Sequence, residues 1–311
     1  MNYKKLSEWH SGFVHWVIRR HPQNSKQQNG FMGGFIFGER GTGKSTYCYK
    51  VEAKTYYELD GYNTVDDEEE AYKKALEYML FEPKDLRKLL IYNKLKQIVT
   101  PIICLDDASM HFGKMMHLTN PKLYAALLGE TATIRTAVTG FLINAPRRGH
   151  VAKFLRDYDD FKGEIKTDAG GGSEYMPTWN KKVRYYRWNY YPDEVKYRIQ
   201  IPFQDKYSCF IPEPFYSWYL EKKRYFEIKH EMEVADVVDI EARLVFIEHA
   251  DDLPSYPNQP DLRVFIRKWD KENRMLEDKK KIMDIESKFK LVNLEKKLKK
   301  FTGERNQLES M

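Results

Sequence analysis

The stretch Phe35-Ile36-Phe37-Gly38-Glu39-Arg40-Gly41-Thr42-Gly43-Lys44-Ser45-Thr46 decides how the rest of this chain is read. Apolar residues run into a glycine-rich turn that ends in Lys-Ser. Gly38, Gly43, Lys44 and Ser45 satisfy G-x-x-x-x-G-K-[ST], and Tyr47 to Ala53 can continue as a helix. A strand before and a helix after are the context of a phosphate-binding loop. Successive N–H groups can wrap a phosphate only where side chains stay clear, which Gly38, Gly41 and Gly43 permit. The following helix points its positive end at the anion. Lys44 is placed to reach the outer phosphates, and Ser45 offers a hydroxyl to Mg²⁺. The expected nucleotide contacts are Gly38, Glu39, Arg40, Gly41, Thr42, Gly43, Lys44, Ser45 and Thr46.

Chain-wide composition sets the frame. A length of 311 residues suffices for one large or two modest domains with a sizeable core. The net charge of +6 permits nucleic-acid binding without demanding it. Cys48, Cys104 and Cys209 are widely spaced and odd in number, which points to a reducing, cytoplasm-like compartment rather than a disulfide framework. No apolar run approaches the roughly 18 residues needed to span a bilayer. The N-terminus reads as no signal peptide, so no membrane partner is expected. His10 and His15 read as ordinary helix residues.

Outward from the loop, Leu6, Trp9, Phe13, Trp16 and Val17 recur at spacings of three and four, which predicts a helix over 3–20. Thr64 to Glu70 reads as a capped, acidic helix start on a solvated face, and a further helix is expected from Pro83 to about Ile98. Thr100-Pro101-Ile102-Ile103-Cys104-Leu105-Asp106-Asp107 reads as a short strand buried on both faces, ending in two carboxylates. Ligands bind at that end of strands in open α/β sheets. Asp106 is placed to hold Mg²⁺, and Asp107 to orient or activate water. Adjacent strand residues point opposite ways, so Asp107 must sit where the backbone turns.

Helices are expected at 121–129 and 130–136, then a strand from Ala137 to Asn144. Asn144 can bond the γ-phosphate or its attacking water, or serve as a turn residue before Pro146. Arg135 can act as a finger across a subunit interface, and Arg147 and Arg148 can meet phosphate, meet DNA or solvate a loop. Residues 150–161 read as a helix. Residues 168–177 read as a flexible Gly-rich stretch. Residues 183–191 and 196–203 read as a hairpin about Pro192-Asp193-Glu194. It interleaves Arg184, Arg187, Lys196 and Arg198 with Tyr185, Tyr186, Trp188, Tyr190, Tyr191 and Tyr197, which suits single-strand binding or aromatic sheet packing. A helix follows Pro214. Met275, Ile282 and Phe289 then recur every seven residues in a basic tail that can meet a partner helix or nucleic acid.

Together the loop at Gly38–Thr46, the strand Ile102–Asp107 and the strand ending at Asn144 resemble the additional-strand P-loop ATPases, the group of AAA+ and RecA-like proteins. The resemblance covers roughly residues 30–205. It implies a strand inserted between the loop strand and the Asp strand. It also implies Lys44 and Ser45 at phosphate and Mg²⁺, Asp106 at Mg²⁺, Asp107 at the catalytic-carboxylate position and Asn144 as γ-phosphate sensor. Asp107 stands where these ATPases usually carry Glu; an Asp there resembles the helicase-loader and replication-initiator branch. Residues 131–160 look like DNA-handling ATPases of viruses and plasmids.

The expectation is therefore an α/β fold, a P-loop NTPase three-layer architecture with a mainly parallel sheet and a helical, basic C-terminal extension. Its expected segments are 1–30, 31–211 and 212–311. ATP and Mg²⁺ are the expected ligands, DNA and further copies of the chain the expected partners, and the cytoplasm (a host's, for a viral protein) the expected site. A nucleotide-gated binding module and a small-molecule kinase stand as the alternative functions.

Overall fold

The computed structural model describes residues 5–23, 30–39, 41–59, 65–156, 161–167, 180–191, 196–238, 240–272 and 274. Its strands are β1 (Met32–Phe37), β2 (Met79–Leu80), β3 (Thr100–Leu105), β4 (Val138–Asn144), β5 (Phe161–Thr167), β6 (Asn180–Tyr191) and β7 (Lys196–Ser208). They form a seven-stranded sheet in the order β2-β3-β4-β1-β5-β6-β7. The first five in that order pair parallel, and β6 and β7 extend the sheet antiparallel. β4 thus lies between the loop strand β1 and the Asp strand β3.

The helices are α1 (Gly12–Arg20), α2 (Lys44–Leu59), α3 (Val65–Tyr78), α4 (Pro83–Lys96), α5 (Ala108–His111), α6 (Met116–Thr119), α7 (Pro121–Thr131), α8 (Lys153–Arg156), α9 (Phe215–Val238) and α10 (Ile240–Glu248). Those between residues 12 and 156 cover both faces of the sheet. Side chains alternate across a strand, and that parity sorts the core. Phe35, Ile103, Leu105, Phe141 and Ile143 join one cluster with Leu86 and Leu90 of α4, Leu127 of α7, and Phe154 and Leu155 of α8. The even positions face the other layer. A Cβ built on Gly34 would lie 2.7 Å from the Phe13 ring, so only glycine lets α1 seat this closely on β1. Tyr56 of α2 donates to the Ile102 carbonyl at 3.0 Å. The result is a three-layer α/β sandwich of the P-loop NTPase kind.

The N-terminal segment departs from the single helix read over 3–20. Leu6–Glu8 is a 3₁₀ turn, Ser11 caps α1, and Trp16 is left 36% exposed under the Arg19 and Arg20 guanidinium groups. Asp205, buried on β7, accepts from the Gly12 amide at 2.7 Å and from Tyr47 at 2.6 Å, so one carboxylate fastens α1 and α2 to the hairpin. Glu68 does not sit on a solvated face: it is buried and accepts the Leu6 amide at 2.6 Å. The helix read over 150–161 shrinks to the four residues of α8, and β5 begins at Phe161. The pair 121–129 and 130–136 becomes α7 followed by a 3₁₀ turn at Ile134–Thr136.

The chain divides into a unit of residues 1–223 and a unit of residues 224–311. The second unit holds most of α9, then α10 and helical backbone at 263–272. Trp269 is fully buried in it and donates its indole N–H to Asp236 at 2.7 Å. Lys268 also donates to Asp236, and these bonds hold the carboxyl below the usual carboxylate range. Among the described residues no helix is long and apolar enough to cross a membrane. Arg40, Thr64, the Gly-rich stretch 168–177, the 192–194 turn and the heptads at 275–292 lie outside the described residues.

Candidate active site

Three neighbouring parallel strands aim their C-terminal ends at one place. β1 runs into the glycine loop, β3 into Asp106-Asp107, and β4 ends at Asn144. Strand parity decides which side chains meet. Asp106 keeps the face of Ile102 and Cys104, Asn144 keeps the face of Gly140 and Leu142, and that face is the one α2 covers. Ser45 lies in the first turn of α2. Asn144 Nδ2 donates to Ser45 Oγ at 3.0 Å and to Asp106 Oδ1. These residues lie 99 and 38 positions from Asn144 in sequence and form one hydrogen-bonded cluster.

The loop is held from behind. Gly41 and Gly43 take φ of +74° and +81°, which L side chains rarely adopt. Thr42 Oγ1 donates to the Glu39 carbonyl at 2.8 Å. Tyr207 donates its hydroxyl to the Gly43 carbonyl at 3.1 Å, and Cys209 Sγ sits where a Gly43 Cβ would be, 2.4 Å from it. Lys44 Nζ donates to the Glu39 and Gly38 carbonyls at 2.7 and 3.2 Å, so the ammonium lies over the loop. Burial lowers its pKa from the ordinary lysine value, and the Asp107 charge opposes the shift.

Asp106 and Asn144 are fully buried. Burial and the neighbouring Asp107 charge raise the Asp106 pKa, against the pull of Lys223, Ser45 and Tyr219. Asn144 Oδ1 is buried with no hydrogen-bond partner among the described residues. Asp107 leaves the strand geometry with φ 44° and ψ 43°, a left-handed conformation costing about 1–2 kcal/mol for an L residue. That turn is what lets two successive carboxylates serve one site.

The arginines are distributed differently. Arg135 is exposed at the N-terminal end of β4, about 20 Å from Asn144 along the strand. Its own site is therefore out of reach. Arg147 is exposed beside the Asn144 tip. Arg148 donates to the Arg156 carbonyl at 2.9 Å and so braces α8.

Two contacts had no local signal in the sequence. Tyr219 of α9 donates its hydroxyl to Asp106 Oδ2 at 2.8 Å. Lys223, one turn further on, pairs with Asp107 Oδ2 at 2.6 Å. Nothing in the composition of 215–226 distinguished these residues from other surface-helix tyrosines and lysines.

The donor set can be tested against the expected ion. A serine hydroxyl, a carboxylate and an orphaned amide oxygen are hard oxygen ligands, the class Mg²⁺ takes. The ring of loop amides at a helix N-terminus suits an anion. The residues present therefore fit a magnesium–phosphate ligand.

No protein-family model matches the chain. It is 25% identical over 239 residues to the uncharacterized protein B-251 of Sulfolobus spindle-shape virus 1, across 77% of this chain and 90% of that protein. Among solved structures it is similar to the KaiC-like protein PH0186 from Pyrococcus horikoshii OT3, at 14% identity and a TM-score of 0.28, over 54% of this chain and 89% of that one. At that score the likeness bears no weight. The sheet order, the loop and the two strand tips carry the conclusion that this chain has a P-loop NTPase-like three-layer fold.

Proposed function

We propose that this protein binds ATP with Mg²⁺ and hydrolyses it to drive work on DNA, as an additional-strand P-loop ATPase. The observation that carries the reading is the convergence of Lys44, Ser45, Asp106, Asp107 and Asn144 from three adjacent strand ends. The loop amides and Lys44 hold the phosphates. Ser45 and Asp106 hold Mg²⁺, which when bound neutralises charge on the transferring phosphoryl group. Asp107 takes the role of water-orienting carboxylate, and Asn144 presents its amide toward the γ-phosphate position. Asp107 is one methylene shorter than glutamate, and its left-handed backbone alters the reach of that carboxylate.

The DNA part of the proposal rests on the basic, aromatic composition of β6 and β7. A similar protein encoded by a virus is in keeping with it. In an assembly of identical chains, exposed Arg135 is the residue positioned to enter a neighbour's site.

The test is ATP turnover by the full chain with and without Mg²⁺, and with single-stranded DNA, double-stranded DNA, RNA or no polymer. Lys44→Ala and Asp107→Asn are expected to lower turnover by about a hundredfold or more. Unchanged turnover in both variants refutes the hydrolytic reading. Equal rates under all four polymer conditions refute the nucleic-acid role.

A further inference from the structure

The site has a third contributor beyond the loop and the strand tips. α9 reaches the two carboxylates from the other side of the chain's length. Residues 219, 222 and 223 fall on one face of that helix by their spacings of three and four. Three contacts fix that face before any hydroxyl or ammonium reaches an acid. The Phe215 ring stacks on Tyr72 with centroids 4.4 Å apart. The Tyr219 ring lies 5.8 Å from Tyr49 of α2. Buried Lys222 donates to the Met79 carbonyl at 2.8 Å and to the Leu76 carbonyl, pinning α9 to the α3–β2 junction. With the helix so anchored, the Tyr219 hydroxyl and the Lys223 ammonium are not needed to hold it.

Each of them instead settles the orientation of an acid. A carboxylate turns about a soft, twofold torsion. Tyr219 takes Asp106 Oδ2, which leaves Oδ1 on the side of Ser45 and Asn144. Lys223 takes Asp107 Oδ2 at 2.6 Å and so sets the direction in which the carboxylate's other oxygen faces. The pair also offsets the repulsion between adjacent acids in a partly buried site.

We propose that Tyr219 and Lys223 are positioning residues of the hydrolytic site, Tyr219 aiming Asp106 at the divalent cation and Lys223 aiming Asp107 at the attacking water. The proposal rests on the ATPase reading above. It makes the first turns of α9 part of the active site, although they lie more than a hundred residues beyond the acids they serve.

Three variants of the full chain test it: Tyr219→Phe, which keeps the ring; Lys223→Met, which keeps the stem; and Lys223→Arg, which keeps the charge. Two readouts are needed, binding of a fluorescent ATP analogue across a Mg²⁺ titration, and steady-state turnover. Tyr219→Phe is expected to raise the Mg²⁺ needed for half-maximal analogue binding about tenfold, with affinity at saturating Mg²⁺ unchanged. Lys223→Met is expected to lower kcat about ten- to a hundredfold with KM within about twofold, and Lys223→Arg to recover most of it. A structural role alone would shift the melting temperature and KM together and leave the Mg²⁺ dependence where it was. The inference is overturned if the wild-type Mg²⁺ dependence persists in Tyr219→Phe, or if Lys223→Met keeps or raises kcat. Failure of the wild-type chain to bind the analogue, or equal binding by Lys44→Ala, overturns the ATPase reading itself. A wild type that binds and turns over beside silent α9 variants overturns only this inference.

Discussion

Replacing Gly43 by alanine tests how the loop is buttressed. The new methyl would lie 2.4 Å from Cys209 Sγ, 3.5 Å from the Tyr207 hydroxyl and 3.6 Å from Cys209 Cβ. Only the first is a clash, an overlap of about 1 Å against ordinary contact distances. The loop cannot retreat without breaking the bonds from Tyr207 to the Gly43 and Thr42 carbonyls. Overpacking of this size costs about 1–3 kcal/mol. A second cost comes from φ +81°, which an alanine adopts at about 1–2 kcal/mol. The two are separable. Cys209→Ala removes Sγ and leaves the contact at 3.6 Å, so it relieves the clash and not the backbone strain. A double-mutant cycle over Gly43→Ala and Cys209→Ala, read by thermal melts and by ATP-analogue affinity, should show a coupling of about 1–3 kcal/mol. The double variant should still bind the analogue about five- to thirtyfold more weakly than Cys209→Ala alone, the share of the φ strain. A coupling near zero, or a Gly43→Ala chain that melts and binds like wild type, refutes the claim that Cys209 backs the loop.

Two further outcomes are expected. Asn144→Ala removes the donor that ties Ser45 to Asp106, so it should cut turnover about tenfold or more while leaving binding of a fluorescent ADP analogue within about threefold. Loss of ADP-analogue binding of the same size as the loss in turnover would reduce Asn144 to a structural residue. Glu52 is fully buried on α2, with the Cys104 backbone beside its carboxyl. Burial pushes its pKa well above the ordinary value, the nearby Lys222 charge opposing. A carboxyl whose folded pKa is raised costs stability as pH climbs above its unfolded value near 4.3. Glu52→Gln, which does not titrate, should therefore gain on wild type by about 1–3 kcal/mol at pH 8, with a smaller gain at pH 5. Melts showing the same difference at both pH values would rule out a titrating Glu52.

Much of the site was legible because its determinants are local. A strand, a glycine turn and a helix start occupy twelve consecutive residues, and Asp106-Asp107 closes an apolar run that reads as a buried strand on its own. Asn144 stood at a strand tip for the same reason, and the structure adds that its amide donates to Ser45 and Asp106. β2 was missed because two residues carry no periodicity. β5 was missed because Phe161 to Thr167 follows a short apolar helix, and the two run together in a single reading. Glu68 was misread as solvated because nothing near it in sequence announces the Leu6 amide.

The loop, the strand that ends in two acids and the kind of fold can be read from the residues alone, since a strand, a glycine turn and a helix start need particular residues at particular short spacings. The place of β4 between β1 and β3, the backing of the loop by Tyr207 and Cys209, and the reach of Tyr219 and Lys223 to the two acids come from tertiary packing. Those contacts join residues 38 to 167 positions apart. At such separations the pairing is set by how helices pack on a sheet, by strand parity and by the seat of α9, and no local pattern encodes it.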